Sequence, residues 1–220
     1  MGNKLNNLIS EVLQMTSHID NTNPLFAGKS IPKIIIQLSW PAILEQFLIC
    51  MANLADTAMV GSIGPAATAS VAINISSVWL INGFITALSA GFSYLVSHAI
   101  GEGNKTKVES AVRQSLTAAI LLGFFLTLIV FSIHQKLPVW LGAAPEVLPG
   151  ATAYMGIFSL GLIGETLGVV LSADLRSAGN TRIPLAANLT SNLFNVIGNF
   201  FLIYPSRQIH LPFGNISVWG

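Results

Sequence analysis

Three carboxylates, Glu45, Asp56 and Glu165, stand in stretches of this sequence that otherwise carry almost no charge. A charge at the centre of a bilayer costs about 2.5 to 3.5 kcal/mol on insertion scales, so an intramembrane carboxylate is by default a candidate for a proton or ion relay. Amides accompany them. Asn188, Asn192, Asn195 and Asn199 stand at i, i+4, i+7 and i+11, an arc of about 60° on a helix that turns 100° per residue. The same offsets recur in Asn82, Thr86, Ser89 and Ser93 and again in Gly161, Glu165, Gly168 and Ser172. Glu45 and Asp56, eleven apart, fall about 20° from each other. Small and polar residues are the usual glue between membrane helices, which is reason enough for the glycines, serines and threonines. A stripe of four asparagines brings more donors and acceptors than neighbouring helices readily satisfy, and so points to water or ligand as well. The plain alternative for Asp56 is a carboxylate about 6 Å from a helix end that reaches the headgroup level.

These groups need membrane helices to hold them, and the composition supplies them. Of 220 residues, 52% are hydrophobic and 9% charged, with mean hydropathy +0.68; soluble domains carry roughly a quarter charged residues. An ordinary soluble enzyme is excluded, and a net charge of +1 gives nucleic acid no basic face to bind. The single cysteine, Cys50, builds neither a disulfide nor a thiolate metal site. No zinc-protease, phosphate-loop or nucleophile-elbow motif is present, so no enzyme, cofactor or metal site is expected. Residues 57–101, 114–135 and 183–206 contain no Asp, Glu, Lys or Arg, and a span needs about 20 apolar residues. The expected fold is all-α and integral to the membrane, with residues 31–220 as the membrane domain and five spans at about 34–60, 68–98, 112–133, 148–173 and 184–204. Pro41 should bend the first span. The third span has no polar stripe and is expected to face lipid or to pack structurally. Residues 1–30 read as a cytoplasmic tail whose Leu5, Leu8, Ile9, Val12 and Leu13 permit an interfacial helix, with no signal peptide evident.

Basic residues give the orientation, because Lys and Arg stay on the cytoplasmic side. Lys4, Lys29, Lys33, Lys105, Lys107, Arg113, Arg176 and Arg182 share one side, against Lys136 and Arg207 on the other. The amino terminus is therefore expected inside and residues 205–220 outside. His98 reads as interfacial. Sequons begin at Asn74, Asn104, Asn188 and Asn215; all four read as coincidence, Asn74 and Asn188 falling within spans.

Several segments together resemble the MATE family of multidrug and toxic compound extrusion transporters: LSWPAILEQ (38–46), ADTAMVGSIGP (55–65), VSHAIGEGNKTKVESAV (96–112), LRSAGNTRIPL (175–185) and NLFNVIGNFFLIY (192–204). The resemblance implies five helices of an incomplete six-helix amino-terminal lobe, whose partner would be the carboxy-terminal lobe of the same transporter. It implies a secondary antiporter in the plasma membrane that exports organic, often cationic, drugs or toxins in exchange for H⁺ or Na⁺, the coupling ion taking the place of a cofactor. By position, Asp56, Asn195 and Asn199 match the family's ion-coupling cluster. Glu45, Asn82, Glu165, Asn188 and Asn192 line the expected substrate cavity. Asn199 stands where some members carry aspartate, and Asn180 where the loop motif often reads Gly-Asp-Thr-Arg. The competing readings are a lipid or polysaccharide flippase of the same superfamily, a non-transporting remnant, and a membrane enzyme. The enzyme reading requires Glu45, Asp56 and Glu165 to converge.

Overall fold

In the computed structural model the described residues are 31–203, 207–211 and 214–218. The tail expected over residues 1–30 lies outside them. The helices are α1 (Ile31–Gly61), α2 (Pro65–Ala72), α3 (Ile75–Gly101), α4 (Lys105–Ile133), α5 (Leu137–Trp140), α6 (Leu148–Ser177) and α7 (Arg182–Ile203). Among the described residues four segments are long and apolar enough to cross a membrane: Ser39–Gly61, Pro65–Gly101, Lys105–Ile133 and Leu148–Ser177. The 22 residues of α7 reach about 33 Å, but its asparagines keep it less apolar than the other four. The expected fifth span forms at its expected place; whether it crosses a membrane rests on length and packing, not hydropathy. A hairpin of β1 (Arg207–Leu211) and β2 (Gly214–Val218) follows, antiparallel, with Arg207 opposite Val218 and Leu211 opposite Gly214. It is a small departure from the all-α expectation, and its period-two apolar pattern was legible in QIHL and NISV.

The second expected span is one run in hydropathy but two helices in structure. Asn74, fully buried, donates its amide Nδ2 at 3.0 Å to both Ser70 O and Ala151 O, so an inserted side chain marks the break. Ser70 Oγ also donates to Ala66 O or Val147 O, and a Cβ at Gly150 would come within 2.5 Å of it. A glycine is therefore what lets α2 lie against the start of α6.

Two turns at the basic end of the bundle use one solution. Gly103 (φ 66) and Gly179 (φ 82) adopt the left-handed conformation that stops α3 and α6. Asn104 N bonds Ala99 O at 3.4 Å and Asn180 N bonds Leu175 O at 2.9 Å, the backward reach of a Schellman cap. The next residue starts the next helix: Asn104 Oδ1 accepts from Lys107 N, and Asn180 Oδ1 from Ile183 N. An aspartate at 180 would cap equally well.

The core lies among α3, α4 and α6. α4 does both things expected of it: Ala111, Val112, Ser115, Leu116, Ala119, Gly123 and Val130 are buried, while Leu121, Phe124, Phe125 and Leu128 are exposed on its outer face. Two clusters fill the layer, one around Val96, Val112 and Leu116, the other around Ile81, Ile85, Val130, Met155 and Leu162. A Cβ on Gly123 would stand 2.9 Å from Ile163 Cα, so the helices touch backbone to backbone there, as small residues allow. Outward faces carry large apolar side chains, including Trp79, Ile157 and Leu160. That is the surface lipid requires.

Candidate functional site

α1 and α7 are the first and last of five long helices that alternate in direction, so they run parallel. Residues on α1 consequently meet residues on α7 at one constant offset. Asn188 Nδ2 donates to Glu45 Oε1 at 2.5 Å and Asn199 Nδ2 to Asp56 Oδ1 at 2.7 Å, both pairs 143 apart in sequence. The eleven-residue spacing of the two carboxylates matches the eleven-residue spacing of the two amides. The result is two rungs about 16 Å apart along the helix pair.

At the lower rung, Arg176 at the end of α6 reaches Glu45 with Nη1, 2.9 Å from Oε1 and 3.1 Å from Oε2. Glu45 is 5% exposed. At the upper rung the half-buried Asp56 meets amides. Turned with its nitrogen toward the carboxylate, Asn195 donates to Asp56 Oδ1 at 2.7 Å and lies 3.3 Å from Oδ2. Turned the other way, its carbonyl accepts from Asn199 Nδ2 at 3.2 Å. Among the described residues no Lys or Arg forms an ion pair with Asp56. Between the rungs, Asn192 keeps its Nδ2 sealed from solvent with no hydrogen-bond partner among the described residues.

The third carboxylate lies across from these. Glu165 on α6 interacts with the Asn82 amide of α3, and the Tyr154 phenol sits within electrostatic range of both Glu165 and Asp56. A Cβ added at Gly161 or Gly168, on the same stripe, would meet nothing within 4 Å, so the face beside Glu165 is open. Of the rest of the α3 stripe, Thr86 is exposed, Ser89 is buried, and the Ser93 hydroxyl hydrogen-bonds the Ser177 hydroxyl of α6.

Glu45, Asp56 and Glu165 thus have three separate sets of hydrogen-bond partners, with Tyr154 within electrostatic range of the last two. Among the described residues no three His, Cys, Asp or Glu side chains gather to hold a metal ion.

Sequence reasoning missed three residues. Arg176 was read only as an orientation marker, yet it neutralises Glu45. Tyr154 stands eleven before Glu165, on the α6 stripe itself, and could have been found by extending it. Asp174, 2% exposed, accepts from Ser115 Oγ at 2.5 Å. The fourth span was expected to stop at 173, but α6 runs to Ser177. Position 174 continues the buried series Ala151, Met155, Ser159, Leu162, Thr166 and Val170, so core periodicity carried the signal.

A family model described as MatE matches residues 41–201, and the chain belongs to that family. The probable multidrug resistance protein NorM of Thermotoga maritima is 29% identical over 174 residues, covering 79% of this chain and 38% of that protein. The probable multidrug resistance protein NorM of Streptococcus pneumoniae is also 29% identical over 174 residues, covering 78% and 38%. The uncharacterized transporter YisQ of Bacillus subtilis is 22% identical, covering 77% and 37%. Among solved structures, a MOP superfamily transporter from Pyrococcus furiosus matches with TM-score 0.75 at 24% identity, over 78% of this chain and 38% of that one. A MATE structure in the bent conformation matches with TM-score 0.74 at 22% identity, over 88% and 41%. These likenesses show the fold. The chain spans about two fifths of the length of the relatives it matches. With its apolar helices, it is a multi-pass membrane protein.

Proposed function

We propose that the chain supplies most of one lobe of a secondary antiporter that exports organic, often cationic, compounds in exchange for H⁺ or Na⁺. The lipid bilayer of the plasma membrane surrounds it, a second lobe of the same transporter is its partner, and its basic end and amino terminus face the cytoplasm. The observation that carries this reading is the upper rung: a half-buried carboxylate within a membrane helix, bonded to amides and paired with no Lys or Arg among the described residues. Such a group binds a proton or a small cation at low cost because no resident charge must first be displaced.

Asn195 gives the site a way to respond to its occupant. Its amide nitrogen suits the ionised carboxylate. Reversed, its carbonyl accepts the acid O–H of a protonated Asp56 together with Asn199 Nδ2, so one rotation exchanges the two networks. Inward movement of one charge at 100 mV supplies about 2.3 kcal/mol, enough to bias a two-state change. Glu165, Asn82 and Asn192 line the substrate cavity in this reading, with Glu45 and Asn188 at its end nearest Arg176.

The test uses the full-length protein that contains this chain, reconstituted in vesicles. Asp56→Asn should keep normal expression and lose efflux driven by the H⁺ or Na⁺ gradient. Parent-like efflux with unchanged gradient dependence refutes the assignment and moves the coupling role to Glu165. Lipid scrambling without drug efflux supports a flippase instead.

A further inference from the structure

The helices divide into two groups that share little apolar surface. α3, α4 and α6 pack tightly on one another, whereas α1 packs chiefly on α7. Among the described residues of α1 the one buried residue is Glu45, and among those of α7 it is Pro184. A helix that crosses a bundle normally buries an apolar stripe; here the buried anchor of α1 is a charged carboxylate. The group that meets it from α6 is Arg176, whose Nη1 spans both carboxylate oxygens, with Asn188 completing the contact from α7. Three helices from both groups join at this one polar point. At the other end of the pair, the hydrogen bonds of Asp56, Asn195 and Asn199 stay between α1 and α7, and the α6 group opposite Asp56 is Tyr154, within electrostatic range.

We infer that Arg176 is a positioning residue: acting through Glu45 and Asn188, it fixes where the α1–α7 pair, and with it Asp56, sits against the α3–α4–α6 group. The inference builds on the antiporter reading. An apolar joint would hold the pair by area and tolerate small shifts; an ion pair between a buried carboxylate and a planar guanidinium holds it by direction. Arg176 also has its own orientation fixed. It sits one turn before the Gly179 stop of α6, and its neighbours Asp174 and Ser177 bond Ser115 of α4 and Ser93 of α3. The end of α6 therefore grips α1, α3 and α4 with three successive polar side chains, and of these only Arg176 reaches the α1–α7 pair.

The experiment places one spin label on Cys50, exposed on α1, and a second on a cysteine introduced at Leu160, exposed on α6. The host is the full-length protein, with any cysteines beyond this chain replaced. Because Arg176→Gln alone leaves Glu45 unpaired and risks misfolding, the deciding variant is Glu45→Gln with Arg176→Gln, which leaves no charge behind. Expected are a broadened or shifted Cys50–Leu160 distance distribution and at least a fivefold change in the H⁺ or Na⁺ concentration giving half-maximal efflux. Arg176→Lys should restore the charge but not the two-oxygen geometry and fall between parent and double variant. Either readout unmoved in the folded double variant overturns the inference. If the parent shows no ion-coupled efflux, the antiporter reading fails by itself, and the distance measurement still decides the joint.

Discussion

The two rungs between α1 and α7 are built from the same residue types at the same offset, yet they end in opposite electrostatic states. Glu45 and Asp56 each accept a hydrogen bond from an asparagine 143 residues on. At Glu45 an arginine from a third helix supplies the opposite charge; at Asp56 the neighbouring helix offers only amides. A carboxylate paired with a resident cation is a joint, whereas one held by neutral donors is the group proposed to take up the coupling ion. The spacing on α1 and α7 cannot tell them apart. The deciding residue lies on α6.

The comparison breaks most visibly if the joint loses its cation. Arg176→Met leaves Glu45 buried and unpaired, a change that costs 3 to 5 kcal/mol for a fully buried pair; with the Arg176 side chain 37% exposed, about 2 to 3 kcal/mol is expected. Thermal unfolding in detergent should show that loss for Arg176→Met and less than about 0.5 kcal/mol for Asp56→Asn. Equal losses would mean the two rungs do not differ in kind. The converse change should turn the Asp56 rung into a joint. Asn195→Arg brings a guanidinium to the exposed position beside Asp56, so the folded protein should keep its stability while efflux loses its dependence on the coupling ion. Retained ion dependence would show that Asp56 is not the residue that feels the gradient.

Much of this was legible in the sequence, and the part that was not has a physical reason. Helix identity and the polar stripes of α1 and α7 follow from periodicity; the grouping of Asp56 with Asn195 and Asn199 was expected from the resemblance, whereas the pairing of Glu45 with Asn188 was not expected, although the matched spacings of eleven carried its signal. The break at Asn74 was hidden because hydropathy is continuous across it and the cause is one side chain bonding to a distant carbonyl, Ala151 O. The roles of Arg176 and Asp174 were hidden because a charged residue near a helix end reads as solvated. Core periodicity continues to position 174, but only the packed bundle shows that α6 runs on to Ser177 and brings Arg176 to Glu45. Sequence fixes which face a residue takes, while partners from a third helix depend on the bundle's assembly.

A smaller effect sharpens the upper rung itself. Asn199→Ala removes the 2.7 Å bond to Asp56 and keeps the carboxylate. A hydrogen bond to a charged group contributes about 1.5 to 3 kcal/mol when buried; Asn199 is half-exposed, so roughly 1 kcal/mol, or about a fivefold weaker apparent affinity for the coupling ion, is expected in the efflux assay. A change larger than that of Asp56→Asn would make the amide, not the carboxylate, the main ligand.

The smallest effect calibrates the joint against an exposed ion pair. Glu102, in the turn between α3 and α4, lies 2.6 Å from Lys107 Nζ and 3.3 Å from His98 Nδ1. The Lys107 ammonium holds the Glu102 carboxyl below its ordinary range. A carboxyl lowered on folding stabilises the fold at pH above that ordinary range, about 4.3, and the contribution is lost as the pH falls from there through the lowered value it has in the fold. Because the pair stands in water, screening leaves it little. Glu102→Gln should change hydrogen-exchange protection of the first turn of α4 by less than about twofold at pH 7, and the difference should vanish at pH 3 or in 1 M salt. Arg176→Met should keep its large cost in the same high salt, because Glu45 is sealed from screening ions. If salt erased both effects alike, Glu45 would be as solvated as Glu102, and the lower rung would be a surface ion pair instead of a joint.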